Sequence, residues 1–415
     1  MAKTPKGFRL HIGLYGRRNV GKSSILNALT SQQVSIVSDI AGTTTDPVEK
    51  PMEFLPIGPV LFIDTAGIDD SGALGRKRVS RTRAILDRTD VAILVVPAGE
   101  WTSFEDQILK ELQHREIPVI LVFNKSDLSS AGEQCCRQLF DQGIALVHAV
   151  ATRGEGMIDL RQALIQVTPD SFLQAPPIVA DLVPPGNLAI LVTPIDIEAP
   201  KGRLILPQVQ SIRDLLDGNA LSMIVKESEL STALDLLKTP PVLVVTDSQA
   251  FLKVAADTPD FIVMTSFSIL FARAKGDLEA FVEGAMAIET LRPGDHVLIA
   301  EACTHHPVDE DIGRVKIPNW LTEYVGGKLE FSFVRGHDFP GDLRPYQLVI
   351  HCGACMWNRR EMLSRQLFAR KSGVPMANYG LTIAYTLGIF DRALSPFPAA
   401  RQIYLDRANQ KNRNS

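Results

Sequence analysis

Short, continuous apolar runs recur along this chain, and most are followed by a stretch with helical spacing. Phe8–Tyr15, Val60–Ile63 and Pro118–Phe123 are the clearest in the first third. Leu188–Val192, Leu221–Val225 and Val242–Val245 follow in the middle, then His296–Ala300, Lys328–Phe333 and Gln347–Ile350. Most show no polar alternation, which predicts strands of a parallel sheet covered on both faces by helices. Helical spacing appears at Ser24–Leu29, Gln208–Leu216, Glu229–Leu237 and Met356–Arg370. Ser372–Phe390 carries no formal charge over 19 residues. Pro375, Asn378, Tyr379 and Gly380 interrupt it, so it predicts a buried helix rather than a membrane span.

Proline-rich stretches at 174–177 and 184–186 punctuate this rhythm and read as a linker. The pattern predicts an α/β protein of three parts: residues 1–172, a small three-stranded part over 173–260, and a last part over 261–415. A three-stranded sheet is thin, so the middle part is a candidate for pairing with a second copy. The 415 residues carry 43 basic against 47 acidic side chains. Through residue 170 the balance is 19 to 20, and after it 24 to 27. Neither part has the basic excess that nucleic-acid binding by counterion release needs, so nucleic acid is not an expected partner. No secretory pattern is seen at the start, and the chain reads as soluble and cytoplasmic, with no membrane partner.

The chemistry starts where the first strand stops. Gly16-Arg17-Arg18-Asn19-Val20-Gly21-Lys22-Ser23 stands between a strand and a helix, the context in which G-x-x-x-x-G-K-S cradles phosphates. Lys22 supplies charge at the β/γ-phosphates, and the Ser23 hydroxyl, followed by Ser24, can ligate Mg²⁺. Asp64 and Gly67 end the next apolar strand; the carboxylate reaches the metal and the Gly67 N–H the γ-phosphate. Thr43 and Thr44 lie between, with Thr44 placed for the metal. Asn124, Lys125 and Asp127 end a third strand. The Asp127 carboxylate can accept from guanine N1–H and its exocyclic amine, a donor pair that adenine lacks. The expected ligands are therefore GTP and GDP with Mg²⁺, and Lys22, Thr44 and Gly67 form the expected hydrolytic set.

Five cysteines make no disulfide framework. Cys135 and Cys136 read as ordinary helical residues. Cys303, Cys352 and Cys355 lie just past strands, where open α/β sheets hold ligands. Cys355 is expected to open a helix, whose positive end and nearby Arg359 and Arg360 favour thiolate. Cys303-x-His305 with His351-Cys352-x-x-Cys355 suits either a Cys₃His zinc site or a [4Fe–4S] cluster with one open iron. His305 and His351 are candidates for the fourth ligand or for hydrogen bonds to sulfur. His306 and His337 read as ordinary loop histidines.

The nucleotide segments resemble the TrmE/Era/EngA group of GTPases over residues 8–168. That resemblance implies a K⁺ held by Asn19 and by loop carbonyls around Ser38–Thr43. Ile68 stands where Ras-like enzymes carry a water-orienting Gln, so slow, potassium-stimulated hydrolysis is expected. Val150-Ala151-Thr152 replaces the usual Ser-Ala-Lys segment against the base. The order of parts, with 45 residues between His305 and His351, resembles the HydF family of [FeFe]-hydrogenase maturation GTPases. The resemblance implies an N-terminal P-loop GTPase domain followed by two smaller parallel-sheet α/β domains. It also implies a [4Fe–4S] cluster on Cys303, Cys352 and Cys355 in a homodimeric scaffold. Two radical-SAM maturases would build a di-iron precursor on it, and apo-[FeFe]-hydrogenase would receive it. The competing expectation is a zinc-containing Era/TrmE-like GTPase for ribosome or tRNA maturation.

Overall fold

The computed structural model describes residues 4–31, 47–65, 84–130, 133–173, 176–194, 204–302 and 311–414. The chain divides into two compact units, residues 1–175 and 176–415.

The first unit is built on a six-stranded sheet. Its strands are β1 (Leu10–Tyr15), β2 (Val48–Phe54), β3 (Gly58–Asp64), β4 (Val91–Pro97), β5 (Val119–Asn124) and β6 (Ala145–Ala149). Their order is β2-β3-β1-β4-β5-β6, with β2 antiparallel to β3 and the other pairs parallel. β1, β4 and β5 are buried at every position, as continuous apolar runs require. On one face Ile12 and Leu14 pack with Ile25 and Leu160; on the other, Leu94 and Leu121 pack with Leu109 and Leu112. Each such side chain contributes roughly 2 kcal/mol on burial. After β1 the chain moves to β3 on one side, then to β4 on the other. The resulting crevice at the carboxyl end of β1 is the standard ligand position of such sheets.

The second unit holds two four-stranded, wholly parallel sheets. The first comprises β7 (Leu188–Val192), β8 (Leu221–Val225), β9 (Leu243–Thr246) and β10 (Val263–Ser266), in the order β10-β9-β7-β8. Its fourth strand, β10, lies beyond residue 260, where the apolar pattern had suggested that the last part begins. Four residues running straight into the helix Phe267–Lys275 leave too short a strand signal. That helix is buried on most of its surface and belongs to both sheets' surroundings. Ser268 Oγ in it accepts from Asn378 Nδ2 and from Gly380 N, each at 3.1 Å. Such sharing explains why residues 176–415 form one unit.

The other sheet comprises β11 (His296–Glu301), β12 (Glu330–Arg335), β13 (Leu348–His351) and β14 (Met376–Asn378), in the order β12-β11-β13-β14. β14 corrects the expectation of one helix across Ser372–Phe390. Gly373 at φ 69° and Pro375 hold the backbone out of the helix. The helix Tyr379–Thr386 begins only after Asn378, whose side chain caps it by accepting from Leu381 N at 3.1 Å. Among the described residues no helix is long and apolar enough to cross a membrane.

Candidate functional site

Gly16–Gly21 is the loop between β1 and the helix Lys22–Ser31, at the sheet's switch point. Two glycines are fixed there by close approach. A Cβ on Gly16 would meet the Val95 carbonyl at 2.4 Å, and one on Gly21 the Asn124 amide at 2.2 Å. Both also have positive φ, 143° and 101°, which side chains resist. Lys22 Nζ donates to the carbonyls of Gly16 and Arg17, both at 2.9 Å, so the ammonium folds across the loop. Ser23 Oγ donates to Asp64 Oδ2 at 2.5 Å. Asp64 Oδ1 is buried with no hydrogen-bond partner. A buried carboxylate oxygen without a donor is costly, and a hydrated Mg²⁺ beside Ser23 supplies what it lacks. The residues fit the metal.

The base side is assembled from β5 and the loop after β6. Asn124 is buried and works as a strut: Nδ2 donates to Val20 O at 2.9 Å, and Oδ1 accepts from Ala151 N at 3.1 Å. Lys125 Nζ donates to Asn19 O at 3.1 Å. Thus Val150–Thr152, which has Val and Thr where Ser and Lys are usual, is linked by its Ala151 N–H to the phosphate loop through the Asn124 side chain. Asp127 pairs with Arg153, Nη2 to Oδ2 at 3.4 Å. Arg17 donates to Glu105 Oε1 at 2.9 Å, and Glu105 Oε2 accepts from Thr102 N at 2.8 Å, closing a capping box on the helix Ser103–His114. Sequence reasoning passed over Arg153 and Glu105; the Thr102-x-x-Glu105 spacing could have found the latter. Ser24 lies in the first turn of the helix Lys22–Ser31. Thr43, Thr44, Gly67 and the Ser38–Thr43 loop lie outside the described residues.

In the second unit, β11 also sits at a switch point, with β12 on one side and β13 on the other. Cys352 directly follows β13, and its Sγ accepts the N–H of Ala302, just past β11, at 3.1 Å. Its own N–H goes to Ala300 O at 3.0 Å. Cys352 and Cys355 are both half-buried. Between them Ala354 takes φ 48°, and Trp357 N closes the turn on Ala354 O at 3.0 Å. Cys355 does not open a helix as expected. The helix Arg359–Lys371 begins four residues later, capped by Asn358. Arg359 Nη1 donates to the carbonyls of Arg273, Ala274 and Gly276 at 2.9–3.1 Å. Cys303, His305 and His306 lie outside the described residues. Among the described residues no group of three metal-ligating side chains is present. Two half-buried thiols, one already accepting a backbone N–H, suit a soft metal or an iron–sulfur group.

His351 is fully buried, and burial, with the Arg365 guanidinium beside it, pushes it down to about 3. The ring is therefore neutral. Its Nδ1 donates to Cys352 O at 2.9 Å and its Nε2 accepts from Arg365 Nη1 at 3.1 Å. With both nitrogens engaged, His351 braces the cysteine loop through its backbone. Arg365 also donates to Gly336 O at 2.8 Å and lies over the rings of Trp357 and Phe339, at 4.1 and 4.3 Å.

Comparison with known proteins follows the same division. The model of the hydrogen maturase F dimerization domain matches residues 178–276, and that of the hydrogen maturase F tetramerization domain matches residues 279–396. The chain belongs to the hydrogen maturase F family. Residues 11–125 match the 50S ribosome-binding GTPase model, giving the family's N-terminal P-loop GTPase domain ahead of parallel-sheet α/β domains. GTPase Der of Campylobacter concisus is 42% identical over 139 residues, 32% of this chain and 30% of that protein. The tRNA modification GTPase MnmE of a Synechococcus strain is 40% identical over 160 residues, 38% of this chain and 33% of that protein. The chain thus spans about a third of the length of these curated relatives. Among solved structures, the G domain of the T. maritima FeoB iron transporter aligns with TM-score 0.32 and 22% identity, over 39% of this chain and 99% of its own. Era from Aquifex aeolicus bound to GDP.AlF4⁻ aligns with TM-score 0.32 and 19% identity, over 60% of this chain and 99% of its own.

Proposed function

We propose that this member of the hydrogen maturase F family is a GTP-hydrolysing, cytoplasmic scaffold. It holds a [4Fe–4S] cluster on Cys303, Cys352 and Cys355, and delivers a di-iron precursor to apo-[FeFe]-hydrogenase. One observation carries the cluster reading: Cys352 Sγ takes the N–H of Ala302 at 3.1 Å, and Ala302 immediately precedes Cys303 in the chain. This contact sets the Cys352 loop against the end of β11, which Cys303 follows in sequence, and so supports the reading. A cluster held by three cysteines supplies one iron open to cargo. His305 is a candidate for the remaining ligand, while the engaged nitrogens of His351 suit it to bracing.

On the nucleotide side, Gly16, Gly21, Lys22, Ser23 and Ser24 would bind the phosphates. Ser23, Thr44 and Asp64 would hold Mg²⁺, and Thr43 and Gly67 would line the γ-phosphate. Asn19 would hold K⁺, and Asn124, Lys125 and Asp127 would form the guanine side. Slow, potassium-stimulated turnover fits a switch, which needs different partner affinities in its two nucleotide states rather than speed. The exposed Leu221 and Ile224 on the edge strand β8 support pairing of two copies. The two radical-SAM maturases are proposed as further partners. The tRNA role named for MnmE belongs to a relative that matches only 38% of this chain.

Cys352→Ser and Cys355→Ser test the reading after anaerobic reconstitution of the full chain. Each is expected to lose the broad iron–sulfur absorption at about 400 nm. GTP hydrolysis should stay within about twofold of wild type. A wild-type chain that stays colourless and binds zinc overturns the cluster.

A further inference from the structure

Arg17 is the second residue of the phosphate loop, and its guanidinium is docked on the segment that follows β4. Its Nε donates to Glu105 Oε1 at 2.9 Å, and its Nη2 donates to the Glu100 carbonyl at 3.3 Å and to Glu100 Oε2 at 3.2 Å. Two carboxylates answer one cation, so Arg17 offers no surplus positive charge to a phosphate. The Glu100 side chain is 62% exposed, and a pair of that kind counts for little. Glu105 is different. It is 0% exposed, and its second oxygen accepts from Thr102 N at 2.8 Å and from Thr102 Oγ1 at 2.5 Å. A capping box does not require burial, and a buried carboxylate is costly without a cation beside it. The loop that Glu105 grips accounts for both.

The phosphate loop is held from two flanks. On the β5 side, Val20 O accepts from Asn124 Nδ2 at 2.9 Å. On the β4 side, Glu105 holds Arg17. The Arg17 carbonyl in turn accepts from Lys22 Nζ at 2.9 Å, so whatever fixes Arg17 also fixes a contact of the phosphate-facing ammonium. A loop whose N–H groups must converge on phosphates binds more weakly in proportion to the time it spends out of shape.

We propose that Glu105, acting through Arg17, is a positioning residue for nucleotide binding, and that the pair keeps the loop in its phosphate-receiving shape. The inference rests on the reading of Gly16–Ser23 as the phosphate loop. Bound phosphates order the loop by themselves, so the pair acts on affinity rather than on the hydrolytic step.

Titration of the full chain with a fluorescent GDP analogue and Mg²⁺, together with steady-state GTP hydrolysis, tests this. Arg17→Ala should raise the GDP dissociation constant and the KM for GTP about tenfold, the result when the competent shape falls to about a tenth of the population. Its kcat should fall by less than about twofold, a split that general damage to the fold would not produce. Glu105→Gln can still close the capping box with its one oxygen, and then turns an amide N–H₂ on Arg17, donor against donor. It should match Arg17→Ala, and the double variant should be no weaker than either, because the two residues act as one. Lys22→Ala is the control for the loop itself and should weaken GDP far more than either. Losses that add in the double variant, or a kcat that falls as far as KM rises, overturn the proposal. Unchanged affinity in Arg17→Ala with Lys22→Ala impaired overturns it alone, whereas unchanged affinity in Lys22→Ala overturns the phosphate-loop reading as well.

Discussion

Asn124 shows how one side chain can hold two loops of a site together. It is 3% exposed and joins Val20 O to Ala151 N, the phosphate loop to the base loop. Truncating it leaves two buried backbone groups unpaired, at about 1–3 kcal/mol each before any relaxation. Asn124→Ala is therefore expected to lower the urea stability of the nucleotide-free chain by about 2–4 kcal/mol. A loss under about 0.5 kcal/mol would mean water replaces the strut. The strut role was hidden in the sequence, where Asn124 stood only as part of a base-binding segment. The motif residues themselves were legible because Gly16, Gly21, Lys22 and Ser23 act within eight positions, and local spacing defines the loop. The hold on Arg17 was not, since its partner Glu105 comes from another helix, 88 residues away in the chain. His351 was half-legible: its place beside Cys352 was clear, but its burial against Arg365 depends on packing.

Elements were legible where their apolar pattern was long. β1, β3 and β5 needed no tertiary information, whereas β10 and β14, of four and three residues, exist because neighbouring strands complete them. β2 is a different case: a polar strand held at the sheet edge by charge. Its Glu49 accepts from Arg88 at 2.7 Å and from Lys6 at 2.5 Å. Burial alone would raise its pKa, but the two cations win and pull it from 4.5 to about 2. A depressed carboxylate stabilises the fold above its unfolded pKa, and that share is lost as pH falls toward the folded value. Glu49→Gln should therefore cost about 1–2 kcal/mol near neutrality, after allowing for solvent screening. The gap between variant and wild type should close as pH drops from about 4.5 toward 2. Urea melts of both proteins at several pH values read it directly, and a gap independent of pH would show that Glu49 acts through packing.

At the scale of the whole molecule, the phosphate-loop residues and the pair Cys352 and Cys355 lie in different compact units, residues 1–175 and 176–415. A ligand that binds one folded unit stabilises that unit by mass action, about 2.7 kcal/mol at a hundredfold excess over its dissociation constant. For a unit of roughly 175 residues this is a rise of about 5–10 °C in melting temperature. Calorimetry of the full chain with GDP and Mg²⁺ should therefore move one transition by that amount and the other far less. Reconstitution with iron and sulfide should move the other. A switch that reports nucleotide state to the cysteine loop demands more, because coupling is reciprocal: whatever nucleotide does to the cluster unit, the cluster must do to nucleotide affinity. GDP and the non-hydrolysable GTP analogue should then differ in their effect on the second transition, even where each shift is small. Equal effects of the two nucleotides there would leave hydrolysis to control only what docks on the first unit.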